Sequence, residues 1–586
     1  MSCDKLVFDL SQEVEGSPNV FVKKDWLNIL DNQNQNYSSN QSVIDTSQLS
    51  NSNKYMSYRE AYFMIPMMLT LSTTTGVFAP GTAATSSDYA LGLKNWFGSI
   101  IHSFTLDYQG TTIIQQTPFI NMWNAFKLMT SLSWNDVITQ GSTIGFYPDD
   151  PLAWGYYNVV APSGIGIVNN VNTPANAVVN TTIATSFNIY EWGRGNVGLA
   201  RRQQYINFDP AGVAGDTTYQ TLFPVLASNN LWKSYIFNKS NNGGPGLLQI
   251  AVTATVYLKQ VHSFFAMCPL LKGVFMKMTM NLNNTSVQLS VTGNASPATI
   301  NLTSVSVPVG GVCPLMIASA QGTAGTPSSY NGSYNLLGPD GNATPYLATL
   351  SVGGRCLNPT VAARGDYLPS PLAQSVYLYV PAYTFNPVFE QAYLSSPIKQ
   401  IKYTDVYQYQ VLNVAANNGQ FNNLITNGIA NIKSVLILPF YSASGNATGL
   451  APGIPVFQSP FDPAGCGPTS PLCLLTNFNV VISGQNAIYN TERYSFEQFN
   501  NQLYGQNAVN GGLTDGLTSS LINSLGFEME YCYYYVNVSR MLPVEESVPK
   551  SVQILGTNPT GKALDLWVFI EYGVDISIDI LSGARV

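Results

Sequence analysis

Two histidines, His102 and His262, are the only histidines in the chain and so its only side chains that ordinarily titrate near neutral pH. They stand 160 residues apart. Ile100 and Ile101 precede the first, and Phe264 and Phe265 follow the second. A Ser-His-Asp or Cys-His unit could use either one, but apolar neighbours of this kind suit a packed histidine. The seven cysteines are Cys3, Cys268, Cys313, Cys356, Cys466, Cys473 and Cys532. None forms CxxC, and neither HExxH nor an EF-hand spacing occurs, so no zinc or calcium site is expected. Cys466 and Cys473 bracket a Pro/Gly loop and read as incidental thiols. An odd, sparse set of cysteines also argues against a disulfide framework.

Gly193-Arg194-Gly195-Asn196-Val197-Gly198 matches GxGxxG. A dinucleotide site also needs a parallel βαβ unit and a ribose-binding acid. The segment that follows, LARRQQYINFDPAG, is too short and too soon broken for that helix. Carboxylates pair at Asp149-Asp150, Glu528/Glu530 and Glu545-Glu546. Glycoside chemistry needs two acids facing each other across a bond, which adjacent loop acids do not provide. The expectation is therefore no catalytic residue, no metal, no cofactor, and a protein that is not an enzyme. Lys23-Lys24 and Arg201-Arg202 are the nearest approaches to basic patches. With a net charge of −7 and no polybasic arm, direct sequence-specific nucleic-acid binding is not expected.

The elements that would position such residues are strands. Charged residues are 10% of the 586-residue chain, against about 25% in soluble domains. Between Ala61 and Tyr190 only Asp88, Lys94, Asp107, Lys127, Asp136, Asp149 and Asp150 carry charge. Residues 151–190 carry none, and open on Trp154, Tyr156 and Tyr157. Aromatic enrichment with charge depletion is the mark of an interface core, so that stretch is a candidate surface buried on assembly. A surface this poorly charged is weakly protected against association, which points to an assembly subunit. No stretch is apolar for long enough to span a bilayer; AYFMIPMMLTLS (61–72) is short and contains Pro66. No leader pattern opens the sequence, so synthesis in the cytosol is expected.

VFMKMTMNL (274–282) sets Val274, Met276, Met278, Met280 and Leu282 on one face and Lys277, Thr279 and Asn281 on the other. VDISIDI (574–580) and VYQYQV (406–411) alternate likewise, the latter setting Tyr407, Tyr409 and Val411 against Gln408 and Gln410. These spacings predict half-buried antiparallel strands. SVLILPF (434–440) and DLWVFIEY (565–572) suit strands covered on both faces. Three helices are predicted. PFINMWNAFKLM (118–129) opens with Pro118 at the first helical position. LKQVHSFFAMC (258–268) is ended by Pro269, and SFEQFNNQLYG (495–505) by Gly505. No βαβ alternation appears. The expected organisation is an arm over 1–55 anchored by Trp26, then strand-rich units over 56–285 and 286–586. Long Gly/Pro/Ser/Thr-rich loops fall at 134–218, 322–370 and 442–475. No letter-level repeat relates the two units.

Several segments taken together resemble the major capsid proteins of polinton-like viruses and virophages. They are FVKKDWLNILDNQNQNYSSNQSVIDTSQLSNSNKYMSYREAYFMIP (21–66), FGSIIHSFTLDYQGTTIIQQTPFINMW (97–123), VHSFFAMCPLLKGVFMKMTMNLN (261–283), VYLYVPAYTFNPVFEQAYLSSPIKQIKYTDVYQYQVLNV (376–414) and YYYVNVSRMLP (533–543). The resemblance implies an all-β double jelly roll: two eight-stranded antiparallel β-sandwiches with long inserted loops and a few short helices. It also implies a homotrimer forming a pseudo-hexameric capsomer of an icosahedral virion, made in the host cytoplasm. Its partners would be neighbouring capsomers, the penton and other minor capsid proteins; an internal membrane beneath the shell is left open. The rival from composition alone is a secreted-type carbohydrate-binding or adhesin β-sandwich whose Tyr and Trp stack on sugars. A glycoside hydrolase or lyase comes third. With only two histidines, no histidine-driven disassembly switch is expected between about pH 5 and 8.

Overall fold

Alternating Met and Val with polar residues leaves the backbone nothing better than extended pairing, and the computed structural model is accordingly built of strands. It describes residues 19–49, 52–73, 88–148, 203–206, 236–239, 247–292, 299–320, 346–353, 375–442, 475–488, 493–510, 521–524, 527, 531, 533–539, 547–561, 563–580 and 583–586. Every strand pairing among these residues is antiparallel.

The largest sheet has nine strands. Its spine runs β1 (Phe21–Leu30), β16 (Tyr377–Phe385), β4 (Tyr62–Thr73) and β10 (Leu247–Tyr257). Next to β16 lies β3 (Tyr55–Met56), and next to β10 lies β9 (Ile236–Lys239). From the second half of β4 the sheet extends through β15 (Tyr346–Val352), β12 (Thr285–Thr292) and β13 (Thr299–Ser306). Packed against it is the order β2 (Gln41–Asp45), β11 (Met276–Leu282), β6 (Ile101–Tyr108), β7 (Thr111–Ile114). Phe63 of β4 and Phe104 of β6 meet between the two sheets. A small sheet of β14 (Leu315–Ala320), β5 (Asp88–Leu93) and β8 (Gln203–Ile206) is added to this half.

The remaining strands form two four-stranded sheets. One is β17 (Ile398–Val414), β24 (Leu564–Asp579), β19 (Ile432–Tyr441), β22 (Tyr534–Asn537). The other is β18 (Gly419–Ile429), β23 (Lys550–Asn558), β20 (Thr476–Ile482), β21 (Gln485–Asn486). Phe478 and Tyr534 pack between them. Numbered along the chain, this half orders its strands first–eighth–third–sixth and second–seventh–fourth–fifth. The framework β1, β2, β4, β6, β7, β10, β11, β16 repeats both orders. That is the order of a jelly roll, and it occurs twice: the fold is a double jelly roll.

Six helices are described: α1 (Ile120–Ser131), α2 (Trp134–Ile144), α3 (Leu258–Val261), α4 (Ser263–Met267), α5 (Pro387–Leu394) and α6 (Phe496–Asn510). The insertion between fifth and sixth strand holds a helix in both halves, α1 with α2 in the first and α6 in the second.

Strand alternation is realised in β11, where Met276, Met278, Met280 and Leu282 are buried and Lys277 is exposed. Residues 566–571 of β24 are buried on both faces, as are 434–440 of β19. In β17 the alternation is inverted. Tyr407 and Tyr409 are 40% and 38% exposed, whereas Gln408 and Gln410 are half-buried. Because β17 is an edge strand, its tyrosines lie at the open margin. The glutamines pair in register with Phe569 and Trp567, on the face that α1 covers.

Helix ends also differ from expectation. Pro118 precedes α1 rather than opening it; Phe119, with φ +59°, is the N-cap. The stretch 258–268 is two short helices parted by His262, whose backbone is extended there. Helix α6 runs through Gly505 to Asn510. Residues 21–45, expected within an arm, supply β1 and β2. Strands β12, β13, β15 and β16, which the expected division at residue 286 assigns to the second unit, pair within the first. The hydrogen-bonded sheets change over between Phe385 and Ile398, across α5.

Candidate assembly surfaces

The junction between the sandwiches shows how this fold joins one jelly roll to another. Helix α1 lies on the outer face of β24 and β22. Phe119 packs edge-on against Trp567, with centroids 4.2 Å apart. Trp123 meets Phe569 at 6.3 Å, and Phe126 meets Tyr533 and Tyr535 at 5.1 and 5.4 Å. All of these rings are buried. Covering each such side chain contributes about 1.5–3 kcal/mol, so this patch is a main part of the adhesion between halves.

Polar groups fix its register. Lys127 of α1 reaches Glu571 of β24 at 3.3 Å, and Ser434 Oγ donates to the other carboxylate oxygen at 2.8 Å. Burial pushes the Glu571 carboxyl up, but the Lys127 ammonium and hydrogen bonds from Ser434 and Thr404 outweigh it, holding it below its ordinary value. Beside this pair, Thr117 Oγ1 donates to the Val406 carbonyl (2.8 Å), and Tyr403 Oη donates to the Ile113 carbonyl (2.7 Å).

His262 belongs to the same seam. Its Nδ1 accepts from the Phe264 amide at 3.2 Å and so carries no proton; Nε2 therefore donates to Asp405 Oδ1 at 3.3 Å. Asp405 also accepts from the Val406 amide and from Tyr572 Oη. Both ring nitrogens are thus occupied in a buried site, and Ser263 Oγ instead donates to the Thr404 carbonyl. His262 fastens the α3–α4 corner of the first sandwich to β17 of the second. His102 is buried 7% exposed on β6, edge-on to Phe119 at 4.8 Å. Burial alone pulls it down to about 4.

Cys268 and Cys313 are buried, and burial pushes the Cys268 thiol above its ordinary value. Cys3, Cys356, Cys466, Cys473 and Cys532, the GxGxxG stretch 193–198, the acid pairs 149–150, 528/530 and 545–546, Arg201-Arg202 and the uncharged stretch 151–190 lie outside the described residues. Among the described residues no three His, Cys, Asp or Glu side chains gather as a metal site, and no helix is long and apolar enough to cross a membrane. Lys23 and Lys24 pair with Asp25 (3.1 Å) and Glu60 (2.6 Å), and Lys24 lies over Trp26 and Tyr383.

Among the described residues, no helix covers the face of the first sandwich that corresponds to the α1-covered face of the second. Along β10, β4, β16 and β1 its outward residues include Thr253, Tyr257, Tyr62, Tyr379, Tyr377 and Trp26. Tyr62 pairs in register with Tyr257 on one side and Tyr379 on the other. The rings form a row: Tyr62–Tyr257 at 5.7 Å, Tyr62–Tyr379 stacked at 5.2 Å, Trp26–Tyr62 at 5.7 Å. Trp26 is 50% exposed, and none of the six carries charge. The sequence held the signal in the period-two tyrosines, but not the neighbours that assemble them.

No protein-family model matches this chain, and no curated protein matches it. Solved structures do. A chain in the cryo-EM structure of the Sputnik virophage is similar over 98% of this chain and 90% of its own, with 11% identity and a TM-score of 0.49. The mavirus major capsid protein is similar over 98% and 92%, with 9% identity and a TM-score of 0.40. The Faustovirus major capsid protein is similar over 98% and 94%, with 8% identity and a TM-score of 0.41.

Proposed function

We propose that this chain is a major capsid protein, three copies of which make a pseudo-hexameric capsomer of an icosahedral virion shell. The observation that carries the reading is the doubled strand order. One chain holds two sandwiches of like topology on a shared core, so three chains present six similar corners. The segments resembling capsid proteins of polinton-like viruses and virophages supply β1, β2, β4, β6, β11, β16 and β17, which are framework strands. The role is structural rather than catalytic. Neighbouring capsomers, the penton and minor capsid proteins are its partners, and the virion, assembled from protein made in the host cytoplasm, is its location. The sandwiches divide across α5. Repetition over a closed shell sums modest contacts into a stable particle.

The test is the full chain expressed alone, weighed in solution and imaged by negative-stain electron microscopy. Particles of three chain masses with a six-cornered outline are expected. A chain that stays monomeric at high concentration overturns the reading.

A further inference from the structure

Within the chain, the helix inserted after the fifth strand of one sandwich covers the outer first–eighth–third–sixth face of the next. Helix α1 does this to β24 and β22, and Trp567 and Phe569 are left 5% and 0% exposed. The same outer face of the first sandwich has no such cover among the described residues. It is nonetheless aromatic, with Trp26, Tyr62, Tyr257 and Tyr379 aligned across its four strands, and the cation on it, Lys24 over Trp26, is paired with Glu60. The second sandwich has its own helix at the equivalent place, α6. Phe499 anchors α6 to its own half against Phe527 and Tyr533, while Glu497 and Asn501 are exposed.

We propose that the aromatic face Trp26–Tyr62–Tyr257–Tyr379 is the docking surface for a second copy of this chain, which covers it with the α6 side of its second sandwich. The contact repeats between copies what α1 and β24 do within one. It is head-to-tail: the second sandwich of each copy meets the first of the next, and such heterologous contacts close into a ring when the rotation allows. The four rings have the composition of an interface core, with the Lys24–Glu60 pair at their edge. Its rim fits as well, since Lys259 stands beside Tyr257 and the exposed acid of α6 is Glu497. The opposite polarity mirrors Lys127 and Glu571 at the internal junction. This inference rests on the capsomer reading and names the surface that reading needs.

Two measurements test it. Trp26→Glu and Thr253→Glu, made singly in the full chain at exposed positions, place a carboxylate on the face. Each is expected to weaken trimerisation on the order of thirtyfold or more while leaving the circular dichroism of the monomer unchanged. Variants that fold and trimerise like the parent overturn the proposal while leaving the capsomer reading standing. Hydroxyl-radical footprinting of the unmodified chain, trimeric and diluted to monomer, avoids any folding artefact. Protection of Trp26, Tyr62, Tyr257 and Tyr379 in the trimer alone is expected; equal reactivity in both states overturns the proposal. A parent chain that never associates overturns it together with the capsid function.

Discussion

At the scale of single residues, the two histidines have opposite surroundings and different consequences. His262 is satisfied at both nitrogens by its own corner and by Asp405. His102 has no hydrogen-bond partner at Nδ1 among the described residues, and Gly311 passes so close that a Cβ there would lie 2.6 Å from that atom. Burial alone lowers His102 to about 4. A histidine held below its ordinary value favours the neutral form in the fold. Its stabilising contribution is complete above about pH 6.5, fades between 6.5 and 4, and is absent below. At 1.36 kcal/mol per pH unit the full effect is about 3 kcal/mol. Chemical denaturation at pH 7 and pH 4.5 should therefore show a smaller loss in His102→Gln than in the parent; equal losses would refute the assignment. The effect is a gradual slope on the fold of each chain. Neither histidine is among the residues of the aromatic face Trp26–Tyr62–Tyr257–Tyr379.

At the scale of elements, helix α1 is where sequence and fold agree best and where their limits show. The segment PFINMWNAFKLM, led by Pro118, predicts the helix, and it forms over Ile120–Ser131. Which residues it would touch was hidden, because Trp567 and Phe569 lie more than 400 positions away. The same holds for β1. Its ten residues look like an arm because the strand that makes them a sheet, β16, begins at Tyr377. Period-two patterns identify a strand but not its partner, and β17 shows that they do not fix its buried face either. The junction of α1 makes a specific prediction. Lys127→Met leaves Glu571 buried without its cation, and should cost about 1–2 kcal/mol at neutral pH, reduced from the usual buried-pair cost because Lys127 is 44% exposed. Adding Glu571→Gln should restore most of that, since the unpaired charge is gone. Glu571 is held below its ordinary value, so the Lys127 contribution lasts above about pH 4.5 and is lost as pH falls through the lowered value. Equal loss in single and double variants, read from urea midpoints, would mean that the pair is merely packed.

At the scale of the whole molecule, the duplication is a property of topology alone. Both halves order their eight framework strands alike, yet no letter-level repeat survives, because a jelly roll asks only for apolar alternation in the right strands. That freedom is also why a division at residue 286 suggests itself from the sequence: β12, β13 and β15 are inserted ahead of the closing strand β16 and look like the start of something new. What joins the halves covalently is slight. Helix α5 has no buried residue, and Val388 is 73% exposed. What joins them noncovalently is extensive: the α1 ring cluster, Lys127–Glu571, Tyr403 to Ile113, and His262–Asp405, all closed over one continuous core. If the seam rather than the linker carries the union, cutting the linker should change little. A protease site placed in α5 after Gln391, cleaved in the folded chain, is expected to leave both fragments in one particle on size exclusion without denaturant. Its unfolding midpoint should fall only modestly, because cleavage removes a tether and no buried contact. Fragments that separate on cleavage would show that the two jelly rolls are beads on a string, and that the internal junction is no template for a contact between copies.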